Sequence, residues 1–331
     1  MKCEDLPKVS LVIPSRNEEK HIGNFLDSLC RVNYPKHKLE IIFVDGKSED
    51  NTKKIIEGYR EKLLVSVIEN EKKITPVALN IGIKNSSGDY IIILSSHTSI
   101  NESFIMDNIE TIIETKADCV GGVINTIPAN NKLFAKTIAF VLSNRFGVGN
   151  SIFRTGADKI METDTVPYGC YRRGVFDKFG YFNENLVRNQ DIEFNLRIKN
   201  AGCKIILNPK IRSVYYPRET LKDLFKQNYQ NGFWIFYSLK FAKLPFSYRH
   251  TIPSLFVLSI LLGIFPFFRS ISLLSLISYT VANVSFSFQI AKNNGFIYFV
   301  PSIISFWTLH LSYGIGSIWG GIKYLFGGKN G

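Results

Sequence analysis

The chain has 331 residues, 45% hydrophobic and 13% aromatic, and a formal net charge of +12. That is enough for one ordinary globular domain and something more. Five scattered cysteines (Cys3, Cys30, Cys119, Cys170, Cys203) with no CxxC spacing argue against a zinc site and a disulfide framework. The basic excess forms no Lys/Arg block with interleaved aromatics, which argues against a nucleic-acid partner. It continues through Lys240, Lys243 and Arg249 up to an apolar C-terminal part, an arrangement that suits an anionic cytoplasmic leaflet and its lipids. The opening MKCEDLPKVS has no apolar stretch, so no cleavable signal peptide is expected and the polar part is expected in the cytoplasm.

Through the first half, short β-branched runs at 9–14, 40–45, 64–68 and 90–94 read as buried strands. Between them lie helix-like stretches at 18–30, 50–60 and 76–85, the first with Ile22, Phe25, Leu26 and Leu29 on one face. Strands alternating with helices predict an α/β, Rossmann-like domain with a mostly parallel sheet. Ligands in such folds bind beyond the carboxyl ends of the strands, so residues 15–18, 45–48 and 95–97 carry the expectation of function. A helix at 104–115 and a strand at 119–124 follow, then an irregular region at 130–160. Residues 166–172, a helix from about 191 to 200 and strands near 204–207 and 212–216 complete the polar domain, set at 1–218.

Residues 221–241, with Trp234, Tyr237 and several Phe among lysines, read as an interfacial amphipathic helix within a 219–249 linker, with a surface helix packed on the domain as an open alternative. From Thr251 onward there is no Asp or Glu, and the only Lys or Arg are Arg269, Lys292, Lys323 and Lys329. Uncharged runs at 251–268, 271–290 and 296–321 predict about three membrane helices within 250–326. The first run is short, and a tightly turned hairpin is an open alternative there. Loop charges are too few to set the topology.

Four clusters sit where the fold places a ligand. Pro14-Ser15-Arg16-Asn17-Glu18-Glu19 ends the first strand. Asp45 leaves the second, within Val44-Asp45-Gly46-Lys47-Ser48-Glu49-Asp50-Asn51-Thr52. Its carboxylate can accept from a base or ribose, while Asp50 and Asn51 read as helix caps. Ser95-Ser96-His97 follows the fourth strand, and Val187-Arg188-Asn189-Gln190-Asp191 precedes a helix.

Together with Ala78-Leu79-Asn80 and Gly88-Asp89-Tyr90, these motifs resemble the inverting family 2 glycosyltransferases of the GT-A fold, closest to the succinoglycan-type exopolysaccharide transferases. The resemblance covers about 9–234. It implies a nucleotide-sugar donor, with Pro14, Glu18 and Asp45 lining the nucleoside pocket. Ser95 and Ser96 stand where the family has the first residues of Asp-x-Asp, beside the nucleotide sugar. His97 stands in the position that holds a divalent cation, Mn²⁺ or Mg²⁺; whether it is a ligand or structural is left open. Thr75 replaces a lysine that faces the diphosphate, for which Lys72 or Lys73 would have to substitute. Gln190-Asp191 stands for Glu-Asp, which makes Asp191 the general base. Arg172, Arg173 and Arg188 are candidates for neutralising the diphosphate.

Gln230-Asn231-Gly232-Phe233-Trp234 resembles the Gln-x-x-Arg-Trp motif of processive members, with Phe233 at the arginine position. Gln230 and Trp234 are thereby implied at the acceptor or membrane entrance. The expected function is single addition of a sugar to a lipid-linked (polyprenyl) saccharide acceptor, at the plasma membrane, in surface-polysaccharide synthesis. Synthesis of a polyprenyl-phosphate sugar is one alternative, and an inactive nucleotide-sugar-binding subunit of an assembly complex another.

Overall fold

The structure is a computed structural model that describes residues 5–241 and 248–326, without the side chains of Tyr248 and Arg249. Cys3, Lys243 and Lys329 lie outside the described residues. The chain forms two compact units, Met1–Asn125 with Gly156–Tyr215, and Thr126–Thr155 with Tyr216–Gly331.

The first unit is built on a nine-stranded sheet. β1 (Val9–Ser15), β2 (Leu39–Asp45), β3 (Val65–Glu69) and β4 (Tyr90–Ile93) run parallel in the order β3-β2-β1-β4. Leu11, Val12 and Ile13 of β1 and Phe43 and Val44 of β2 have no exposed surface, as expected of strands covered on both faces. α1 (Ile22–Cys30) buries Ile22, Phe25, Leu26 and Leu29, the stripe its periodicity announced. α2 (Thr52–Glu57) and α3 (Thr75–Lys84) complete the crossovers.

Beyond β4 the sheet turns antiparallel. β5 (Thr98–Ile100) precedes α4 (Phe104–Glu114), and β6 (Cys119–Thr126), β8 (Cys170–Arg172) and β9 (Ile205–Tyr215) extend the sheet as β4-β8-β6-β9-β5. A short β7 (Met161–Glu162) pairs with Ile206 and Leu207 of β9. The two strands expected at 204–207 and 212–216 are therefore one. Pro209 falls between the β7 partners at Ile206 and Leu207 and the β5 partners at Ser213–Tyr215, so neither of these two pairings needs its missing N–H. α8 (Arg173–Phe179) and α9 (Gln190–Asn200) close this unit.

The second unit is helical. It takes residues Thr126–Thr155, placed inside the first domain by chain order alone, as α5 (Leu133–Leu142), α6 (Arg145–Val148) and α7 (Ile152–Thr155). The reason is hydrophobic: Ile138, Val141 and Leu142 share a core with Leu224, Ile290, Phe306 and Leu309. α10 (Leu221–Tyr237) carries the expected aromatics and lies along α13 (Phe299–Phe326). Glycines set that contact. Any Cβ at Gly232, Gly316 or Gly320 would come within 3.0 Å of the carbonyl oxygen of Tyr313, Tyr229 or Phe233 respectively. Small residues let two helix backbones approach closely where side chains would hold them apart.

Of the three expected membrane segments, two are long and apolar enough to cross a bilayer: Pro266–Asn294, which contains α12 (Arg269–Asn294), and Phe296–Phe326. The first, α11 (Tyr248–Leu262), has 15 residues, about 22 Å at 1.5 Å per residue, short of a ~30 Å hydrocarbon core. It folds back on α12 as a helical hairpin. Ser259 Oγ donates to Ser275 Oγ at 3.0 Å, and the rings of Phe256 and Tyr279 stack 4.3 Å apart. His310, half-buried in this unit, faces the Phe146 carbonyl through Nε2 (2.9 Å) and the Tyr279 hydroxyl through Nδ1 (3.0 Å), which joins α6, α12 and α13.

Candidate active site

β1 pairs with β4 only as far as Val12, opposite Ile93, and Pro14 has no N–H with which to continue a ladder. The chain passes from β1 to β2 and β3 on one side, then returns to β4 on the other. The carboxyl ends of β1 and β4 therefore form a topological switch point, the place where α/β sheets open a crevice for ligands. Two loops frame it, 16–21 after β1 and 94–97 after β4.

The first loop is laced to the loop after β2. Asn17 N–H donates to Ser48 Oγ (3.0 Å), and Glu49 N–H returns a bond to Asn17 Oδ1 (2.9 Å). Glu18 N–H donates to Thr52 Oγ1 (2.7 Å), Glu19 N–H to Asp50 Oδ2 (3.1 Å), and Asn51 N–H to Glu19 Oε2 (3.1 Å). Most of both motifs is thus spent in fixing two turns against each other. Asn17 and Lys47 sit at φ 54° and 56° in these turns. Left-handed backbone at non-glycine residues concentrates at functional sites because surrounding contacts must enforce it.

Asp45 belongs to this frame. Its side chain is fully buried, and it accepts from Ser48 Oγ (2.6 Å) and Ser48 N–H (3.0 Å), with Lys53 Nζ 3.9 Å away. Its direct effect is to shape the loop. Arg16, which carried no separate role in the motif, is exposed and lays its side chain over Gly46, where a Cβ would meet its methylenes at 3.2–3.5 Å.

Glu18 Oε1 reaches His97 Nδ1 at 3.0 Å across the crevice. Ser95 Oγ lies 3.1 Å from Nδ1 and 3.0 Å from Nε2 of the same ring. Ser96 is buried and donates to the Pro14 carbonyl (3.3 Å), which ties the two loops together from below. Pro14, Glu18, Ser95, Ser96 and His97 thus meet at one point. Among the described residues no group of three or more His, Cys, Asp or Glu gathers anywhere.

Asp191 lies in the first turn of α9, just after Asn189 at φ 63°. The residue is open to solvent, yet protein atoms crowd its carboxylate, and this desolvation raises its pKa above the ordinary carboxylate range against two backbone N–H groups that lower it. Two residues on, Glu193 is taken by Arg197 (2.8 Å), whose guanidinium also donates to the carbonyls of Phe179 and Tyr181. Buried Asn195 accepts from Tyr171 Oη (2.8 Å) and donates to Thr165 Oγ1 (2.9 Å), which fixes the helix beneath Asp191.

The approach to this helix is held by Asn80, whose amide both accepts from Phe182 N–H (3.0 Å) and donates to Phe182 O (2.9 Å). Its amide and Lys72 hold the Glu184 carboxyl below its usual pKa. Lys72 pairs with Glu184, 3.1 Å away. Arg172 and Arg173 are likewise committed: Arg172 donates to the carbonyls of Ala117 and Ile112, Arg173 to that of Gly88 and to Ser86 Oγ. Gln230 and Trp234, both half-buried, lie on α10 in the other unit, with Trp234 against Phe233 and Tyr237.

With this geometry established, the similarity to known proteins is specific. The family model described as glycosyl transferase family 2 matches residues 10–180. The chain is 34% identical over 233 residues, 68% of its length and 71% of the relative's, to a dolichyl N-acetyl-alpha-D-glucosaminyl phosphate 3-beta-D-2,3-diacetamido-2,3-dideoxy-beta-D-glucuronosyltransferase of Methanococcus voltae. It is 29% identical over 237 residues, 70% of its length and 71% of the relative's, to the succinoglycan biosynthesis protein ExoA of Rhizobium meliloti. Among solved structures, the mannosyltransferase PcManGT from Pyrobaculum calidifontis, in complex with GDP-Man and Mn²⁺, superposes with a TM-score of 0.61 at 17% identity over 98% of this chain and 88% of that one, which shows a shared fold. The chain belongs to glycosyl transferase family 2 and is a glycosyltransferase of the GT-A fold.

Proposed function

We propose that the protein moves one sugar, with inversion, from a nucleoside-diphosphate sugar to a lipid-linked saccharide. The observation that carries this is Asp191: an exposed residue in the first turn of a helix whose carboxylate is crowded enough by protein atoms to have a raised pKa, which is what a general base needs in order to take a proton from a hydroxyl. In the step, the acceptor oxygen attacks the anomeric carbon while its proton passes to Asp191. The bond from that carbon to the diphosphate breaks on the opposite face, and the nucleoside diphosphate leaves with the electron pair. Such a base contributes roughly 10²–10⁴ in rate.

The donor's nucleoside is assigned to the crevice at β1 and β2, with Pro14, Glu18, Ser95 and Ser96 around it and Asp45 acting through the loop it shapes. A divalent cation held at His97 would neutralise charge on the departing diphosphate. The donor set fits one: an imidazole and a carboxylate face each other at the crevice mouth. The acceptor class follows from the relative of M. voltae, whose name places a sugar on a dolichyl-phosphate-linked one, and from the two apolar helices. These helices are read as a multi-pass anchor in the plasma membrane with the catalytic unit cytoplasmic, and Gln230 and Trp234 as acceptor contacts at the membrane entrance.

The test is to incubate the purified protein with a panel of nucleotide sugars and a lipid extract. The product should be a lipid one sugar heavier, with anomeric configuration opposite to the donor's by NMR. Retention of configuration, or a product built on bare polyprenyl phosphate, would contradict the proposal.

A further inference from the structure

We infer that Tyr168 is the residue against which the transferred sugar of the donor rests, and that its ring sets how tightly that sugar is held. This rests on the donor reading above and deepens it, because no residue has yet been assigned to the sugar ring. Three observations support it. The first is where residues 165–171 are fixed. At the end of β4, Ile93 N–H donates to the Gly169 carbonyl (3.1 Å), two residues before Ser95 at the crevice. From the other side, Asn195 of α9 donates to Thr165 Oγ1 (2.9 Å) and accepts from Tyr171 Oη (2.8 Å). Asn195 stands four residues after Asp191, one turn on along the same helix face. The segment therefore joins the strand that leads to His97 and the helix that carries Asp191. In an inverting transfer the sugar lies between the departing diphosphate and the base, so the middle of this segment borders it.

The second is the backbone of Tyr168, at φ 49°. Left-handed backbone is an outlier for a bulky side chain. The fold enforces it from both sides. At Gly121 of β6 a Cβ would come within 2.8 Å of the Pro167 carbonyl oxygen and the Val166 side chain, so these residues lie directly on the sheet. On the far side the Gly169 carbonyl is held by Ile93. A costly conformation that its surroundings over-determine points to a side chain aimed for function.

The third is the side chain itself. Tyr168 packs in part against the core of the first unit and stays half-exposed. A tyrosine supported in this way is a rigid ring with only two torsions to order and an apolar face for the C–H groups of a sugar.

The test measures, by titration calorimetry on the full chain in detergent, the affinities for UDP, GDP and their hexose conjugates. The readout is the ratio of conjugate to nucleotide affinity for the conjugate that binds most tightly. Tyr168→Leu, which removes the ring, should lower this ratio about fivefold, the middle of the range for an aromatic contact, whereas Tyr168→Phe should hold it within about twofold. Nucleotide affinity should stay near wild type in both. Tyr168→Asn removes the ring with a residue type that tolerates left-handed backbone, and takes the place of Tyr168→Leu should that variant not fold. An unchanged ratio in the variant without the ring overturns the inference. Equal loss of nucleotide and conjugate affinity also overturns it, since that marks a purely structural residue. Either result leaves the donor reading standing. Wild-type protein that binds neither nucleotide nor conjugate sinks the donor reading, and the inference with it.

Discussion

The contact between α10 and α13 makes a prediction that two adjacent glycines answer with opposite signs. At Gly320 a Cβ would fall within 3.0 Å of the Phe233 carbonyl and carbon, and at Gly321 it would meet nothing within 4 Å. The obstacle at Gly320 is backbone, which has no rotamer by which to step aside. Gly320→Ala must therefore push two helices apart along a seam that Gly232 and Gly316 also line. Overpacking of this kind costs ~1–3 kcal/mol, and at about 2–4 °C per kcal/mol the melting point should fall by roughly 3–10 °C. Gly321→Ala gains the ~0.5–1 kcal/mol that alanine is worth over glycine in a helix and should melt at the same temperature or a little higher. All three tryptophans of the chain (Trp234, Trp307 and Trp319) lie on these two helices, so their fluorescence follows this unit alone. Equal melting shifts in the two variants would refute the packing argument.

Asn80→Ala strips two hydrogen bonds from the Phe182 backbone; at ~1–3 kcal/mol for each buried group left unpaired, it should destabilise the first unit by a few kcal/mol in urea unfolding. It should also lower kcat more than it weakens nucleotide binding, because it frees the approach to α9. Asp45→Asn replaces one of the two oxygens that accept from Ser48 with an NH2 donor, so one of those bonds is lost, and should cost ~1–3 kcal/mol together with nucleotide affinity; lost affinity at unchanged stability would show Asp45 to be a ligand and not a brace. The raised pKa of Asp191 fixes two signs. Transfer should fail on the acid side at a higher pH than an ordinary carboxylate of about 3.9 would give, which a kcat-against-pH profile reads. For stability, a group whose folded pKa lies above its unfolded one binds more protons when folded, so stability is lost as pH rises through that window. Asp191→Asn should then raise the melting point at neutral pH and flatten its pH dependence, whereas a lower melting point would deny the desolvation.

Much of this was legible in the sequence because it is local. The β-branched runs and the Ile22–Leu29 stripe announced the parallel half of the sheet, and the motifs after β1, β2 and β4 announced which loops matter. What escaped was long-range. Glu18 and His97 are assigned to different partners when read in chain order, and only the return of the chain to β4 brings them to 3.0 Å. Asp45 looks like a free carboxylate until its oxygens are seen turned onto Ser48. Lys72, Arg172 and Arg173 look like available cations until their acceptors are in view. The apolar run at 133–142 gave no sign of its destination, since an amphipathic segment states that it will be buried without stating against what. Gly232 stood inside a motif suggestive of acceptor binding, yet its most immediate task is to admit the Tyr313 backbone.

The central claim is that Asp191 takes the acceptor's proton in a lipid-dependent transfer. The most direct measurement is nucleotide release by the full chain from a panel of nucleotide sugars, with lipid extract present or withheld, alongside Asp191→Asn and a separate determination of nucleotide affinity. The account predicts release that requires the lipid, falls by at least about 10²-fold in Asp191→Asn, and leaves nucleotide affinity near wild type. Lipid-dependent release that persists in Asp191→Asn within a few-fold of wild type would contradict it.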